Sequence, residues 1–483
     1  MTSPSIRAAF ACALLSSTAF AQARAPRDNT ASILSSLDAR APHYAGIAKQ
    51  IWGFAELGFL ETKSSALLQS ELQSSGFRVT SGVAGIPTAF TAEYGSGKPV
   101  IAIIGEFDAL PGLSQDTLPE RHALIENGAG HGCGHNLFGT AAAASAIAVK
   151  EWMIANHVAG TVRFYGAPAE EGGSGKVYMV RDGLFNDVDA AVTWHPGDEN
   201  AVAGSSSLAN ISGKFRFHGV SSHAAMSPEN GRSALDAVEI MDVMTNFLRE
   251  HVPQETRIHY VITNGGRAPN VVPDFAEVYY YVRHPDMKTV SAIWQRVDSA
   301  AKGAALGTGT TYDVTIIGSA YNLLINATLA KVQQRALERV GGFTYSSSER
   351  AWADKLRATL PPSAIPLEAT AVVKPLDLTA PAGGGSTDVG DVSWVVPTVQ
   401  LTSATWVPGT SAHSWQAVAA GGMSIGSKGM MVAAKTIALT VADLFQSPAT
   451  LTAARAELDR QRGPNFHYAT KLGTQKPALD YRK

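Results

Sequence analysis

The sequence predicts an α/β protein with a central mixed, mainly parallel sheet flanked by helices and an inserted ferredoxin-like α+β domain. Three observations predict it. Short runs at Val100–Ile104, Val162–Tyr165 and Ala190–Thr193 are apolar throughout, as strands covered on both faces are, and helical segments separate them. From about residue 206 to 320 the order is strand, helix, strand, strand, helix, strand, which is the ferredoxin-like arrangement. After Asn322 helices resume, and a strand near Val395–Leu401 with a helix near Ser427–Phe445 returns the chain to its first pattern.

The elements follow in chain order. Ala31 to Ala55 reads as one helical segment and Glu61 to Ser75 as another, with Gly76 where a glycine ends a helix in left-handed backbone. A strand at Ala89–Tyr94 precedes Val100–Ile104, and Phe138 to His157 is an alanine-rich helix. In the inserted unit, Ile211–His218, Arg257–Thr263, Glu277–Arg283 and Tyr312–Ile317 read as strands. Arg232–His251 and Met287–Ala305 read as its helices. The expected division is 22–205 and 321–450 as two parts of one domain, 206–320 as the insert, and 451–483 as a polar, peripheral tail. The stretch Ser346–Val373 shows no role.

Composition narrows the function classes. The 483 residues carry 39 Lys+Arg against 41 Asp+Glu, a formal charge of −2, so no positive excess exists to neutralise a nucleic-acid backbone. Two cysteines cannot make a disulfide framework. Residues 1–21 read as an export signal: Arg7, an apolar run from Ala8 to Phe20, and the small-residue site Ala19-Phe20-Ala21. No apolar run elsewhere reaches the ~18 residues of a membrane span. A periplasmic or secreted protein without a membrane anchor is expected, with Cys133 as its only thiol.

Five chemistry-bearing segments sit at strand ends, where open α/β sheets build their sites. His131-Gly-Cys133-Gly-His135 offers a thiolate and an imidazole, good ligands for Zn2+ and related metals, although a lone buried Cys is more often inert. Glu170-Glu171 lies on a turn after an apolar strand. Adjacent carboxylates there can divide between holding a metal and accepting a proton from water, or can simply be a solvated acidic turn. Gly175-Lys176 is no phosphate loop, because Glu170 stands where the motif needs glycine and Val177 where it needs Ser or Thr. His195 ends a third strand and His413 follows a late one. Asp108, in Glu106-Phe-Asp108, could orient a ligand histidine.

The ordered set Gly105-Glu-Phe-Asp-Ala-Leu-Pro, Gly130-His-Gly-Cys-Gly-His-Asn136, Glu170-Glu-Gly-Gly-Ser-Gly-Lys176, Thr193-Trp-His-Pro196, Ser386-Thr-Asp-Val-Gly-Asp391 and His413-Ser-Trp-Gln resembles the M20 metallopeptidase family, in its amidohydrolase branch, from about residue 30 to 450. The resemblance implies a zinc-peptidase-like catalytic domain with a lid/dimerisation insert. It implies two divalent metal ions (Zn2+ or Mn2+, with Co2+ possible) held by Cys133, His135, Glu171, His195 and His413. Glu170 matches the general base, and His223 a lid histidine that reaches the substrate, often from a partner subunit. Asn270 and Arg283 resemble positions that contact the substrate carboxylate. The implied reaction is cleavage of an N-acyl or N-aroyl amino acid, with p-aminobenzoyl-glutamate the leading candidate. A broader dipeptidase or aminoacylase is the alternative, and a non-catalytic binder is disfavoured because the base and all five ligand positions are present. A homodimer or heterodimer through the lid is expected.

Overall fold

Residues with strand patterns assemble into two separate sheets, each built on a different rule. The computed structural model describes Met1 and residues 30–482; the expected export signal lies outside the described residues. The strands are β1 (Arg78–Ser81), β2 (Phe90–Ser96), β3 (Val100–Glu106), β4 (Gly160–Ala167), β5 (Ala190–Gly197), β6 (Ala201–Val202), β7 (Ala209–His218), β8 (Arg257–Asn264), β9 (Phe275–His284), β10 (Thr311–Ala320) and β11 (Thr398–Ala404).

The larger sheet runs β1-β2-β4-β3-β5-β11-β6. Its centre, β4-β3-β5-β11, is parallel, and the edge strands β1, β2 and β6 pair antiparallel. Every residue of β3 is buried, as a strand covered on both faces requires. The helix His135–Asn156 is long and apolar enough to cross a membrane, yet 83% of that window is enclosed by the protein and forms core. The smaller sheet, β10-β7-β9-β8, is antiparallel throughout. Its two helices, Ala234–Leu248 and Met287–Thr308, bury Val238, Met241, Trp294 and Val297 against Phe215 and Tyr280. This is the ferredoxin-like connection.

Three local readings change in the structure. The first helical segment is two helices, Thr30–Ala39 and Ala41–Phe54, because Pro42 suits a first turn but not a helix interior. The stretch beginning at Ser346 opens as a helix, Ser347–Arg357, whose start is closed by a capping box between Ser346 and Glu349. The chain's last part is not peripheral. After the helix Pro448–Arg462, Leu472 is buried, the Tyr468 hydroxyl donates to Asp391 (2.7 Å), and Gln475 donates to the Ile316 carbonyl of β10 (2.7 Å).

Glu349 also accepts from Lys428 and Ser424, both at 2.6 Å, and these bonds outweigh its burial to hold its pKa at about 2. A depressed carboxyl stabilises the fold above its unfolded pKa, and the benefit is lost as pH falls from about 4.5 toward about 2. Glu349→Ala is expected to cost about 1 kcal/mol or more at pH 7. In thermal unfolding, its deficit against the wild type narrows as pH falls from 5 to 3.

Candidate metal centre

Each candidate side chain arrives on a strand end of the larger sheet. β3 terminates in Glu106, with Asp108 two residues on; β4 runs out into Pro168-Ala169-Glu170-Glu171; β5 carries His195; and the loop after β11 carries His413. His135 is the first residue of the helix His135–Asn156, three residues earlier than the alanine run suggests, and Gly134 before it takes left-handed backbone (φ 75°). That turn lets Cys133 and His135 face one point.

The donor atoms converge. One ligand atom each from Cys133, His135 and His195 lie within 4.8 Å of one another, and so do those of Cys133, Glu171 and His413. Cys133 is common to both triads. Its Sγ is 3.4 Å from His195 Nε2, and His413 Nε2 is 3.3 Å from Glu171 Oε1. The ring orientations are set from behind. His195 Nδ1 donates to its neighbour's carbonyl at Pro196 (2.7 Å), leaving Nε2 with its lone pair toward the sulfur. His135 Nδ1 faces Asp108 Oδ1 (2.9 Å), and the other oxygen of Asp108 accepts from the Glu171 amide (2.9 Å).

Behind this cluster lies an unbroken run of buried charge. His135 Nε2 is 3.1 Å from Glu106 Oε2; Glu106 Oε1 is 2.8 Å from Lys176 Nζ; and Lys176 also pairs with Asp388. Burial opposes the charge on His135, but Asp108 and Cys133 beside it raise its pKa well above the usual range. Burial also opposes ionisation of Asp108, and His135 outweighs it, so that carboxyl is lowered. Burial, then Glu106, Glu171 and Asp388, push Glu170 well above the ordinary carboxyl range. Burial and the charge of His135 bring His195 down to about 4, so it is neutral and able to ligate.

These residues fit a transition-metal site. Glu106 Oε2, His135 Nε2 and Glu171 Oε1 are buried yet have no hydrogen-bond partner among the described residues, a costly state that a cation relieves. Burial and Glu171 hold the Cys133 thiol well above its usual pKa, so its thiolate needs a positive neighbour. Mixed S, N and O donors suit Zn2+, Mn2+ or Co2+.

The cluster opens into a cleft of about 800 Å3 between the two sheets, lined by Cys133, Glu170, Glu171, His195 and His413 on one side. Tyr281 and Arg283 of β9 line the other, and Arg283 Nη1 donates to Ser386 Oγ (3.0 Å). The structure does not bring His223 or Asn270 into this cleft. Both are exposed on the smaller domain, and they neighbour each other: Val271 bridges to His223, and the Ala224 amide donates to the Asn270 carbonyl.

Several residues of the site were not singled out by sequence reading. Glu106 shares a strand end with Asp108 two residues away, a spacing that places both on one side and could have flagged it. Lys176 was weighed only as a phosphate ligand; its buried pairing with two carboxylates has no local signature. Glu61 is likewise invisible: its carboxyl accepts from the Ala169 amide (2.8 Å), and burial with the charge of Asp108 raises its pKa to about 8.

Comparison with known proteins gives a consistent picture. The sequence profile of peptidase family M20/M25/M40 matches residues 102–355. The chain is 45% identical over 446 residues to one of the two subunit types of p-aminobenzoyl-glutamate hydrolase of Escherichia coli K12, covering 87% of this chain and 93% of that one. It is 29% identical over 437 residues to Xaa-Arg dipeptidase of Mus musculus, covering 87% and 90%. A dinuclear metal-binding M20 peptidase from Bacillus subtilis shares the fold, with a TM-score of 0.55 at 18% identity over 84% of this chain and 99% of that one.

Asp108 accepts from both His135 and the Glu171 amide, and an asparagine has only one acceptor atom to offer. Asp108→Asn should therefore weaken metal binding about 10- to 100-fold. Titration against a competing chelator measures it, and unchanged affinity would remove Asp108 from the ligand-orienting role.

Proposed function

The chain belongs to peptidase family M20/M25/M40 and is a metallo-amidohydrolase; we propose that it cleaves p-aminobenzoyl-glutamate to p-aminobenzoate and glutamate. The observation that carries this reading is the arrangement of the two adjacent glutamates. Glu171 belongs to a donor triad with Cys133 and His413, whereas Glu170 lines the same cleft outside both Cys133 triads. One carboxylate is placed to ligate and its neighbour to move protons.

We assign the ligands as Cys133, His135, Glu171, His195 and His413, holding two divalent ions with the sulfur shared between them. Bound there, such ions supply Lewis-acid polarisation of an amide carbonyl and a water acidic enough to be deprotonated near neutral pH. Glu170 takes the proton of the attacking water. Its raised affinity for protons lets it hold that proton and deliver it to the departing nitrogen. Arg283 faces the cleft with a planar fork suited to a substrate carboxylate.

His223 and Asn270 lie outside their own chain's cleft, and we propose that they serve the cleft of a second subunit. The smaller domain offers a surface for that pairing: Val243 and Phe247 on its helix, and Val261 and Ile262 on the edge strand β8, are exposed. We also propose export, which rests on the sequence of residues 1–21 alone. Likeness to Xaa-Arg dipeptidase favours a second reading, a dipeptidase of broader range. Comparing kcat/KM on p-aminobenzoyl-glutamate, N-acetyl amino acids and dipeptides decides between them.

Glu170→Gln is expected to retain metal and lose about 10^2- to 10^4-fold in kcat. A variant with normal turnover would remove Glu170 as the base. His223→Ala should also be inactive, and mixing it with Glu170→Ala chains should restore activity, because one site of each mixed dimer then has both groups. No recovery would confine His223 to its own chain or to no role.

A further inference from the structure

We infer that Arg482, near the chain's end, is a specificity residue that binds the side-chain carboxylate of an acidic amino-acid moiety in the cleft. This rests on the amidohydrolase reading above and names a feature of its substrate. Nothing in the sequence near Arg482 points to a site, and the tail reaches the cleft only through the fold.

The tail is fixed along its length. The Tyr321 hydroxyl donates to the Ala469 carbonyl (3.0 Å), Leu472 is buried, and Arg181 donates to the Gln475 carbonyl (2.7 Å). Tyr481 then packs edge-on against Phe59, with ring centroids 5.6 Å apart, and its hydroxyl donates to the Glu171 carbonyl (3.3 Å). Arg482 Nη2 donates to the same carbonyl (2.5 Å), and the side chain lines the cleft. The tail therefore grips the backbone of the turn that carries Glu170 and Glu171.

The guanidinium has capacity left over. Its Nε is buried and has no hydrogen-bond partner, and no carboxylate pairs with Arg482 among the described residues. Arg283, the other arginine of the cleft, also lacks a carboxylate and uses its side chain on the Ser386 hydroxyl. Tyr281 stands beside both. Arg283 lies 5.1 Å over its ring, and its hydroxyl approaches Gly172, where an added Cβ would meet that oxygen at 3.5 Å and Arg482 Nη2 at 3.7 Å. By contrast Lys176, the other cation near the site, is already answered by Glu106 and Asp388.

Two uncommitted guanidinium groups on one cleft wall call for two anionic groups. A partly buried arginine without an acid is costly unless a ligand supplies one. An acyl-amino acid with an acidic side chain carries two carboxylates beside the scissile amide. Arg283 takes one and Arg482 the other, and the fork geometry of each suits a carboxylate.

Paired substrates test the assignment. The metal-loaded wild type, Arg482→Gln and Arg482→Lys are compared on p-aminobenzoyl-glutamate and p-aminobenzoyl-glutamine, with metal content and Tm recorded for each. In Arg482→Gln the ratio of kcat/KM for the acidic over the neutral substrate should fall about tenfold or more, carried by KM. Arg482→Lys should keep part of the preference. An equal loss on both substrates would mean that Arg482 only braces the Glu171 turn, and an unchanged ratio would also overturn the proposal. Glutarate binding by calorimetry judges the residue without turnover: the wild type should bind it more tightly than Arg482→Gln, and equal or absent binding sinks the assignment. Failure of the wild type to cleave any acyl-glutamate, with glutarate binding intact, would instead count against the proposed reaction.

Discussion

The site depends on one buried run of charge: Asp388, Lys176, Glu106, His135, Asp108 and the Glu171 amide, each in contact with the next. Every ionisable member is nearly or wholly inaccessible to water. Charges in such a place persist only when each is answered, and removing one member of a buried pair typically costs ~3–5 kcal/mol. The run joins four separate parts of the chain: the end of β3, the start of the helix His135–Asn156, the short helix Gly175–Arg181, and the segment around Asp388. Satisfying the charges and positioning the ligands are therefore the same structural event.

The turn bearing the two glutamates shows what that positioning requires. Ala169 (φ 56°) and Ser174 (φ 57°) hold left-handed backbone without being glycine, and His413 (φ 58°) does the same across the cleft. Such conformations cost free energy and survive only when surroundings over-determine them. Here the surroundings are specific. Glu61 holds the Ala169 amide, Asp108 the Glu171 amide, and Tyr481 with Arg482 the Glu171 carbonyl. The glutamates are thus clamped at the backbone, and their carboxyl groups stay free to differ in role.

The two sheets divide the work. The larger one supplies every metal-ligating candidate from its strand ends, and the smaller one supplies Tyr281 and Arg283 from β9. The two sheets share the cleft, so a shift of the smaller domain would change how far its cations stand from the ligand cluster. The tail spans both, touching β10 through Gln475 and the glutamate turn through Arg482.

Much of this was legible in the sequence, for local reasons. Apolar runs announced the parallel centre of the larger sheet, because a strand buried on both faces has no polar alternation to lose. The ferredoxin-like order was readable from periodicity alone. Motifs such as Gly-Cys-Gly-His and Glu-Glu-Gly-Gly marked the ligand candidates, since their glycines permit turns that aim neighbouring side chains at one point. Other features were not legible. Lys176 and Glu106 meet across 70 positions of sequence, and nothing in either neighbourhood specifies the partner. Arg482 sits in a polar tail that reads as solvated until Tyr481 is seen against Phe59. The placement of His223 and Asn270 outside their own cleft depends on how the insert sits on the larger sheet, which no local pattern encodes. By itself, then, the sequence determined the elements, the family and the ligand types, because these follow from short-range pattern and side-chain chemistry. Only the tertiary structure decided which charges neutralise one another and which cations remain uncommitted, because pairing in a buried interior is set by which distant segments the packing brings together.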